Sequence, residues 1–354
     1  MTRADRSLLE SLPKVLLHDH LDGGLRPATL IELLRARGLP PPADDVPKLV
    51  DWFAARAHAG SLDEYLKGFA LTVAAMASPA ALERVAFEAA EDALAQGIVL
   101  AEFRIAPLLF EPHGVVPDAA VEALLAGLAR SALPCGLIAC AMRHLPPAET
   151  ERAARLAIRY QGRGVVGFDL AGAELGHPPA EHASALALCR DAGLPLTLHA
   201  GEADEAKRVL EAGRLGARRI GHGVRLADAI GAPEGGSMLD EVRSLGLHLE
   251  VCPTSNVHTG AAASIATHPI RALWKAGVSL SFHTDNTLMS GITMVSEAQA
   301  LVDEAGFTAA DLVAMGLAAA QASFLPEAAR RRAAQALHAW AEAHGVTPSS
   351  RTAP

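Results

Sequence analysis

Eight apolar runs of strand length recur along the chain, separated by segments with helical spacing, and this alternation restricts the fold more than any other feature. The first run covers about Val15 to His20; GIVLAEFRIAP, CGLIACAMRH, VVGFDLAGAE, LPLTLHAGE, RRIGHG, LHLEVCPTSN and VSLSFHTDN follow. Between them stand ALERVAFEAAEDALAQG, DAAVEALLAGLAR, ETERAARLAIRYQG, HASALALCRDAG and DEAKRVLEAGRLG, several closing on a glycine placed as a helix C-cap. Eight strands alternating with helices predict an α/β fold, a (β/α)8 TIM barrel. A doubly wound open sheet would carry a glycine-rich phosphate turn after its first strand. This chain carries His-Asp-His there.

A barrel of this kind accommodates all 354 residues as a single domain, 1–354, with its core over about 13–340. Half the residues are hydrophobic and only 4% aromatic, material for closely packed helices around a sheet. The segment from Trp52 to Met76 inserts extra helical structure after the first strand, placed to form a lid or to pack on the rim. Gly231 to Met238 reads as a flexible loop.

A net charge of −9 and the lack of a dense basic stripe argue against a nucleic-acid partner. Arg330 to Arg332 reads as the solvated face of a helix. The N-terminus lacks a signal-peptide core and no later stretch is long and apolar enough to span a membrane, so a cytoplasmic protein without a membrane partner is expected. Cys135, Cys140, Cys189 and Cys252 show no C-x-x-C spacing and read as free thiols, mostly buried. The sequence leaves the oligomeric state open.

On a strand, residues two apart point the same way, so His18 and His20 present two imidazoles to one side. His199, His222 and Asp285 also stand at the C-terminal ends of strand-like runs, where barrels carry their reactive groups. Three imidazoles and a carboxylate, His18, His20, His199 and Asp285, suit one Zn²⁺ with a position left for water. Such an ion brings the ionisation of water toward neutrality and makes hydrolysis the expected reaction class. Glu202, three residues past His199 in HAGE, is placed to move protons as general acid and base. Most of the 15 histidines need no such role: His58, His113, His177, His182, His258, His268, His338 and His344 read as structural. Asp19 reads as a spacer, and His248-Leu-Glu250 as an accidental H-x-E with no following P-C-x-x-C.

The segments PKVLLHDHLDG, MRH, DLAGAE, HAGE, IGHG, CPTSN and SFHTDN stand in the order and spacing of the adenosine deaminase family of metal-dependent amidohydrolases. The chain resembles that family, its actinobacterial-type members above all, from about Pro13 to Glu327. The resemblance implies zinc on His18, His20, His199 and Asp285, with Glu202 protonating N1 of the purine while hydroxide attacks C6. It implies that His222 orients the hydroxide, that Asp22 holds the ribose hydroxyls, and that the backbone of Gly172 meets N3. Tyr65, Leu66 and Phe69 align with the family's apolar gate.

One departure stands out: the family's last motif has a second carboxylate followed by proline, whereas this chain has Asn286 and then Thr287. An amide donates to N7 without any proton adjustment, so Asn286 is expected to keep purine binding, while the loop TLMSG lacks the proline. The family also contains deaminases of adenine, N6-methyl-AMP and aminodeoxyfutalosine. HLDG, with Asp22, matches the nucleoside branch, so the expected substrate is adenosine or 2′-deoxyadenosine in purine salvage. Aminodeoxyfutalosine and an inactive nucleoside-binding relative are the alternatives.

Overall fold

The computed structural model describes residues 6–57, 62–233 and 235–349, without the side chains of 62–67. Eight strands form one sheet in sequential order: β1 (Lys14–His20), β2 (Ile98–Ile105), β3 (Cys135–Met142), β4 (Val165–Ala171), β5 (Leu196–Ala200), β6 (Ala217–His222), β7 (His248–Val251) and β8 (Ser279–Phe282). Every neighbouring pair is parallel. The expected TIM barrel is the fold observed, with helices surrounding the strands.

Closure is made beyond the end of β8. Asp285 bridges Asp19 of β1, with the His20 N–H donating to the Asp285 carbonyl at 2.7 Å and the Asp285 N–H to the His18 carbonyl at 2.9 Å. One position up the chain, a side chain replaces the missing ladder partner: the Leu17 N–H donates to His283 Nδ1 at 3.2 Å. Asp19 is more than a spacer, because its buried carboxylate accepts from the Thr284 hydroxyl and ties β1 to this seam. Burial pushes its pKa up to about 8.

The two faces of the sheet differ sharply. Apolar residues such as Phe103, Leu198, Ile220 and Leu249 alternate with Arg104, His199, Arg219 and Glu250, and all are buried. Strand alternation sends the first set outward to the helices and the second inward. The barrel axis is therefore lined with charge and imidazole, where barrels of this type usually pack branched apolar side chains. At the N-terminal end the axis is plugged by the segment after the helix Ala309–Ala322. The Ser323 hydroxyl and Phe324 N–H donate to Glu102 Oε1 at 2.6 and 2.5 Å. The Phe324 ring carries the Arg219 guanidinium at 3.7 Å, and a Cβ on Gly167 would lie 2.7 Å from that ring.

Two local expectations fail. The stretch read as a loop at Gly231 to Met238 enters a helix, Gly235–Ser244, because Leu239 and Val242 share one buried face. TLMSG forms a short helix, Thr287–Ser290, ended by Gly291 at φ 66°. The extra structure after β1 comprises Pro27–Ala36, Val46–Ala57 and Leu62–Met76. In the last of these, Gly68 lets the backbone approach Met289: a Cβ there would meet its sulfur at 2.6 Å. Among the described residues no single helix is long and apolar enough to cross a membrane.

Candidate active site

The sequence-predicted ligands come together at the C-terminal mouth of the barrel. One ligand atom from each of His18, His20, His199 and Asp285 lies within 4.8 Å of all the others. His20 Nε2 is 3.3 Å from His199 Nε2, and Asp285 Oδ1 is 3.3 and 3.5 Å from the Nε2 atoms of His18 and His20. His18 Nε2 is buried with no hydrogen-bond partner, a costly state unless something else fills its lone pair. Burial and the nearby Arg104 hold the His18 pKa down at about 4, and burial takes His20 well below its usual value. Both rings therefore stay neutral, with an unprotonated nitrogen available to a metal.

The outer nitrogens are fixed by carboxylates. His18 Nδ1 meets Glu250 Oε2 at 2.9 Å, and His199 Nδ1 meets Asp169 Oδ2 at 3.0 Å. Each carboxylate orients its imidazole and raises its ligand strength. Arg104 joins the two, 2.8 Å from Asp169 and 2.5 Å from Glu250, while Arg219 reaches Glu250 at 2.6 Å and Glu102 at 2.7 Å. Two guanidinium groups thus face four carboxylates, Asp285 included, all connected and buried. Asp169 raises the His199 pKa; counted with all three imidazoles in the neutral, metal-binding form, these groups carry a formal charge of minus two. A divalent cation at the four ligand atoms neutralises it, so donor set, open nitrogen and charge balance all fit such an ion.

Backbone strain marks the same place. His222 and Asp285, at φ 62° and 61°, are the only non-glycine residues with positive φ among the described residues. Such conformations cost about 1–3 kcal/mol and persist only where the surroundings impose them. Between His222 and β5, Gly221 is required for space, since a Cβ would stand 2.9 Å from His18 Cε1 and 3.3 Å from His199 Cα.

Glu202 sits beside the cluster, its Oε2 3.6 Å from His222 Nε2. Its Oε1 accepts from the Thr259 hydroxyl at 2.8 Å and from Asn256 Nδ2 at 3.1 Å. The turn carrying it is held by Glu174, whose carboxylate accepts the N–H groups of Glu202, Ala203 and Asp204 at 3.1, 3.0 and 2.9 Å. Arg143, buried, donates to the carbonyls of Leu170 and His199 and so fixes the ends of β4 and β5. Ser255 donates to Asp285 Oδ2 at 2.5 Å.

The remaining expected site residues distribute as follows. Asp22 is buried in the turn after β1, its Oδ1 unpartnered, and burial pushes its pKa up to about 7. Asn286 is buried over Gly23, where a Cβ would clash with its Oδ1 at 1.9 Å. Gly172, at φ 92°, follows β4 beside Met142 and His144. Phe69 is half-buried against the apolar core, on the helix Leu62–Met76 that packs on the turn of Asp22. The side chains of Tyr65 and Leu66 lie outside the described residues, as does His58. His182 bonds Thr150 and the Arg143 carbonyl, and His344 stacks on Trp340, both structural as expected. Cys252 is a buried free thiol within 4.8 Å of ligand atoms of His222 and Asp285.

Sequence reasoning passed over Asp169, Glu250, Arg104, Glu174, Asn256 and Thr259. His248-Leu-Glu250 still has no following P-C-x-x-C, and Glu250 serves another purpose, orienting His18. The signal was available: Asp169 and Glu250 are each the one charged residue of an otherwise apolar strand, and Arg104 shares its strand with Glu102 alone.

A barrel whose strand ends gather three imidazoles and a carboxylate, with an acid alongside, defines a metal-dependent hydrolase of the amidohydrolase superfamily. Comparison with known proteins narrows this. The family model described as adenosine deaminase matches residues 13–340. A curated adenosine deaminase of Mycobacterium tuberculosis is 44% identical over 330 residues, 89% of this chain and 90% of the relative. The structure of the N6-methyl-AMP deaminase from Arabidopsis thaliana is 25% identical with a TM-score of 0.81, covering 96% of this chain and all of that one. An adenine deaminase from Arthrobacter aurescens shares the fold at 22% identity and a TM-score of 0.84, over 94% of this chain and 99% of that one. The chain belongs to the adenosine deaminase family. It is an enzyme of metal-dependent deamination, acting on an adenine-containing nucleoside or nucleotide.

Proposed function

We propose that the protein converts adenosine, and 2′-deoxyadenosine, to inosine or 2′-deoxyinosine and ammonia, with zinc as its metal, in purine salvage. The observation that carries the substrate choice is Asp22: a buried carboxyl with an open oxygen, held in the turn directly after the His18/His20 strand. A carboxyl there suits paired sugar hydroxyls and repels a phosphate. Identity points the same way, at 44% to an adenosine deaminase against 25% to an N6-methyl-AMP deaminase.

A zinc ion on His18, His20, His199 and Asp285 would supply Lewis acidity, bringing the ionisation of water toward neutrality. Glu202 then delivers a proton to purine N1. Addition at C6 breaks the aromatic ring and gathers electron density on N1, so that proton stabilises the transition state more than the ground state. His222 hydrogen-bonds the attacking oxygen and holds it toward the ring. Asn286 donates its amide to N7, the Gly172 backbone meets N3, and the helix carrying Tyr65, Leu66 and Phe69 covers the base. The amino group leaves as ammonia as the C6 carbonyl forms, so that of the two protons of the attacking water one ends on N1 by way of Glu202 and the other on ammonia.

The test is the ultraviolet change of adenosine, run beside adenine, AMP and an aminofutalosine analogue, before and after chelation and zinc return. Turnover of adenosine that is lost on chelation and restored by zinc is expected. Turnover of another member of the panel, with none of adenosine, would overturn the substrate; indifference to chelation would overturn the metal.

A further inference from the structure

We infer that Asn256 is the positioning residue that decides where the protons of Glu202 and His222 sit. This rests on the reading above that both side chains act on the substrate. Asn256 is fully buried on the helix Pro253–His258, directly after β7. One atom, its Nδ2, lies 3.1 Å from Glu202 Oε1 and 3.0 Å from His222 Nδ1. An amide nitrogen has two hydrogens and accepts nothing, so it serves both neighbours only by donating to each. The opposite orientation would set an amide oxygen against Glu202 Oε1, acceptor on acceptor. That carboxylate oxygen already accepts from the Thr259 hydroxyl at 2.8 Å.

Two consequences follow for the reacting groups. Because Nδ1 of His222 accepts, the neutral ring carries its hydrogen on Nε2. Because Glu202 Oε1 accepts from both Asn256 and Thr259, the acid form carries its hydrogen on Oε2. These two atoms face each other across 3.6 Å, too far for a hydrogen bond between them. Both hydrogens are thus aimed into the gap beside the ligand cluster. His222 therefore donates to the attacking oxygen, and Glu202 presents its proton to the ring from the opposite oxygen to the one Asn256 holds. The Asn256 contact with Nδ1 restrains the His222 imidazole from outside its strand.

The experiment uses the metal-loaded full chain with isotope-labelled histidine. Long-range proton–nitrogen correlation spectra identify which ring nitrogen carries hydrogen, with His222→Gln used to assign the His222 signals. Wild-type His222 should show hydrogen on Nε2. Asn256→Asp keeps the size but has no N–H to donate. It should lose that pattern and lower kcat by about 10- to 100-fold, with a much smaller change in KM and unchanged metal content. Thr259→Val should lower kcat less and leave the His222 pattern intact. Hydrogen on Nδ1 in the wild-type protein, or wild-type turnover in Asn256→Asp, would overturn the proposal. Hydrogen on Nε2 in a protein that leaves adenosine untouched would support the proton placement and overturn the proposed function instead.

Discussion

The floor and the mouth of this barrel are both buried and both charged, yet they are organised oppositely. At the floor, Arg219 is paired with Glu102 and Glu250 and stacked on Phe324, so each charge has its counter-charge in place. At the mouth, His18 Nε2 and Asp22 Oδ1 are buried and open, and the only non-glycine left-handed backbones among the described residues are at His222 and Asp285. Burial alone therefore does not mark function; what sets the mouth apart is strained backbone beside Asp22, a buried carboxyl with no ion-pair partner among the described residues. The two regions are also coupled. Glu250 accepts Arg219 from below and fixes His18 above, so the paired floor is what holds the unpaired mouth in position.

The sharpest separation of the two regions comes from Glu202→Gln. It should retain metal and thermal stability but lower kcat by about 10²–10⁴-fold, measured by the ultraviolet assay with metal analysis of the same sample. Near-normal turnover would remove Glu202 from the chemistry. Arg104→Met attacks the paired region instead. It leaves Asp169 without its buried cation and Glu250 with Arg219 alone, and breaking such a buried pair costs about 3–5 kcal/mol. Urea unfolding of the metal-loaded protein should show that loss. A variant as stable as wild type would mean that the axis charges do not frame the site.

The sequence made the mouth legible and left the floor unread, for a physical reason. His18 and His20 announce themselves by a period of two on one strand, and His199 and Asp285 by their places at strand ends, so the four residues that gather at the mouth are legible in the sequence. Glu250, Asp169 and Arg104 act through partners far away in sequence: Arg104 and Glu250 are 146 residues apart. No local pattern shows which charge will meet which. The same holds for Asn256 and Glu202, 54 residues apart. Asp19 reads as a spacer in the sequence because its partner Thr284 lies on the other side of the barrel seam. Where apolar spacing is weak, as around Gly235 to Met238, a helix reads as a loop, because the residues of its buried face, Leu239 and Val242, lie beyond that stretch.

Glu297 offers a graded test of what compensation means, because it is a buried carboxyl with only partial support. Its Oε1 accepts the Thr254 N–H at 3.1 Å, its Oε2 has no partner, and burial pushes its pKa from 4.5 up to about 7. The folded state then holds the proton more tightly than the unfolded one. Its contribution to stability is complete below 4.5 and is lost as pH rises through about 7. Glu297→Gln carries no ionisable proton, so its stability relative to wild type should rise between about pH 5 and pH 8. Urea midpoints of both proteins at the two pH values decide it; a constant difference would place the Glu297 pKa in the ordinary range.

The smallest effect is expected where the same residue type meets water. Arg331 lies on the helix Glu327–Ala343, 3.5 Å from Glu327, with its side chain 69% exposed, against 0% for Arg104. Solvent screens an exposed pair and already satisfies each ion alone, so little is lost when the pair is removed. Arg331→Gln should therefore change unfolding free energy by less than about 0.5 kcal/mol, with kcat and KM untouched. If its urea midpoint fell as far as that of Arg104→Met, arginine content rather than burial would govern stability. The contrast between the axis and the surface would then lose its electrostatic basis.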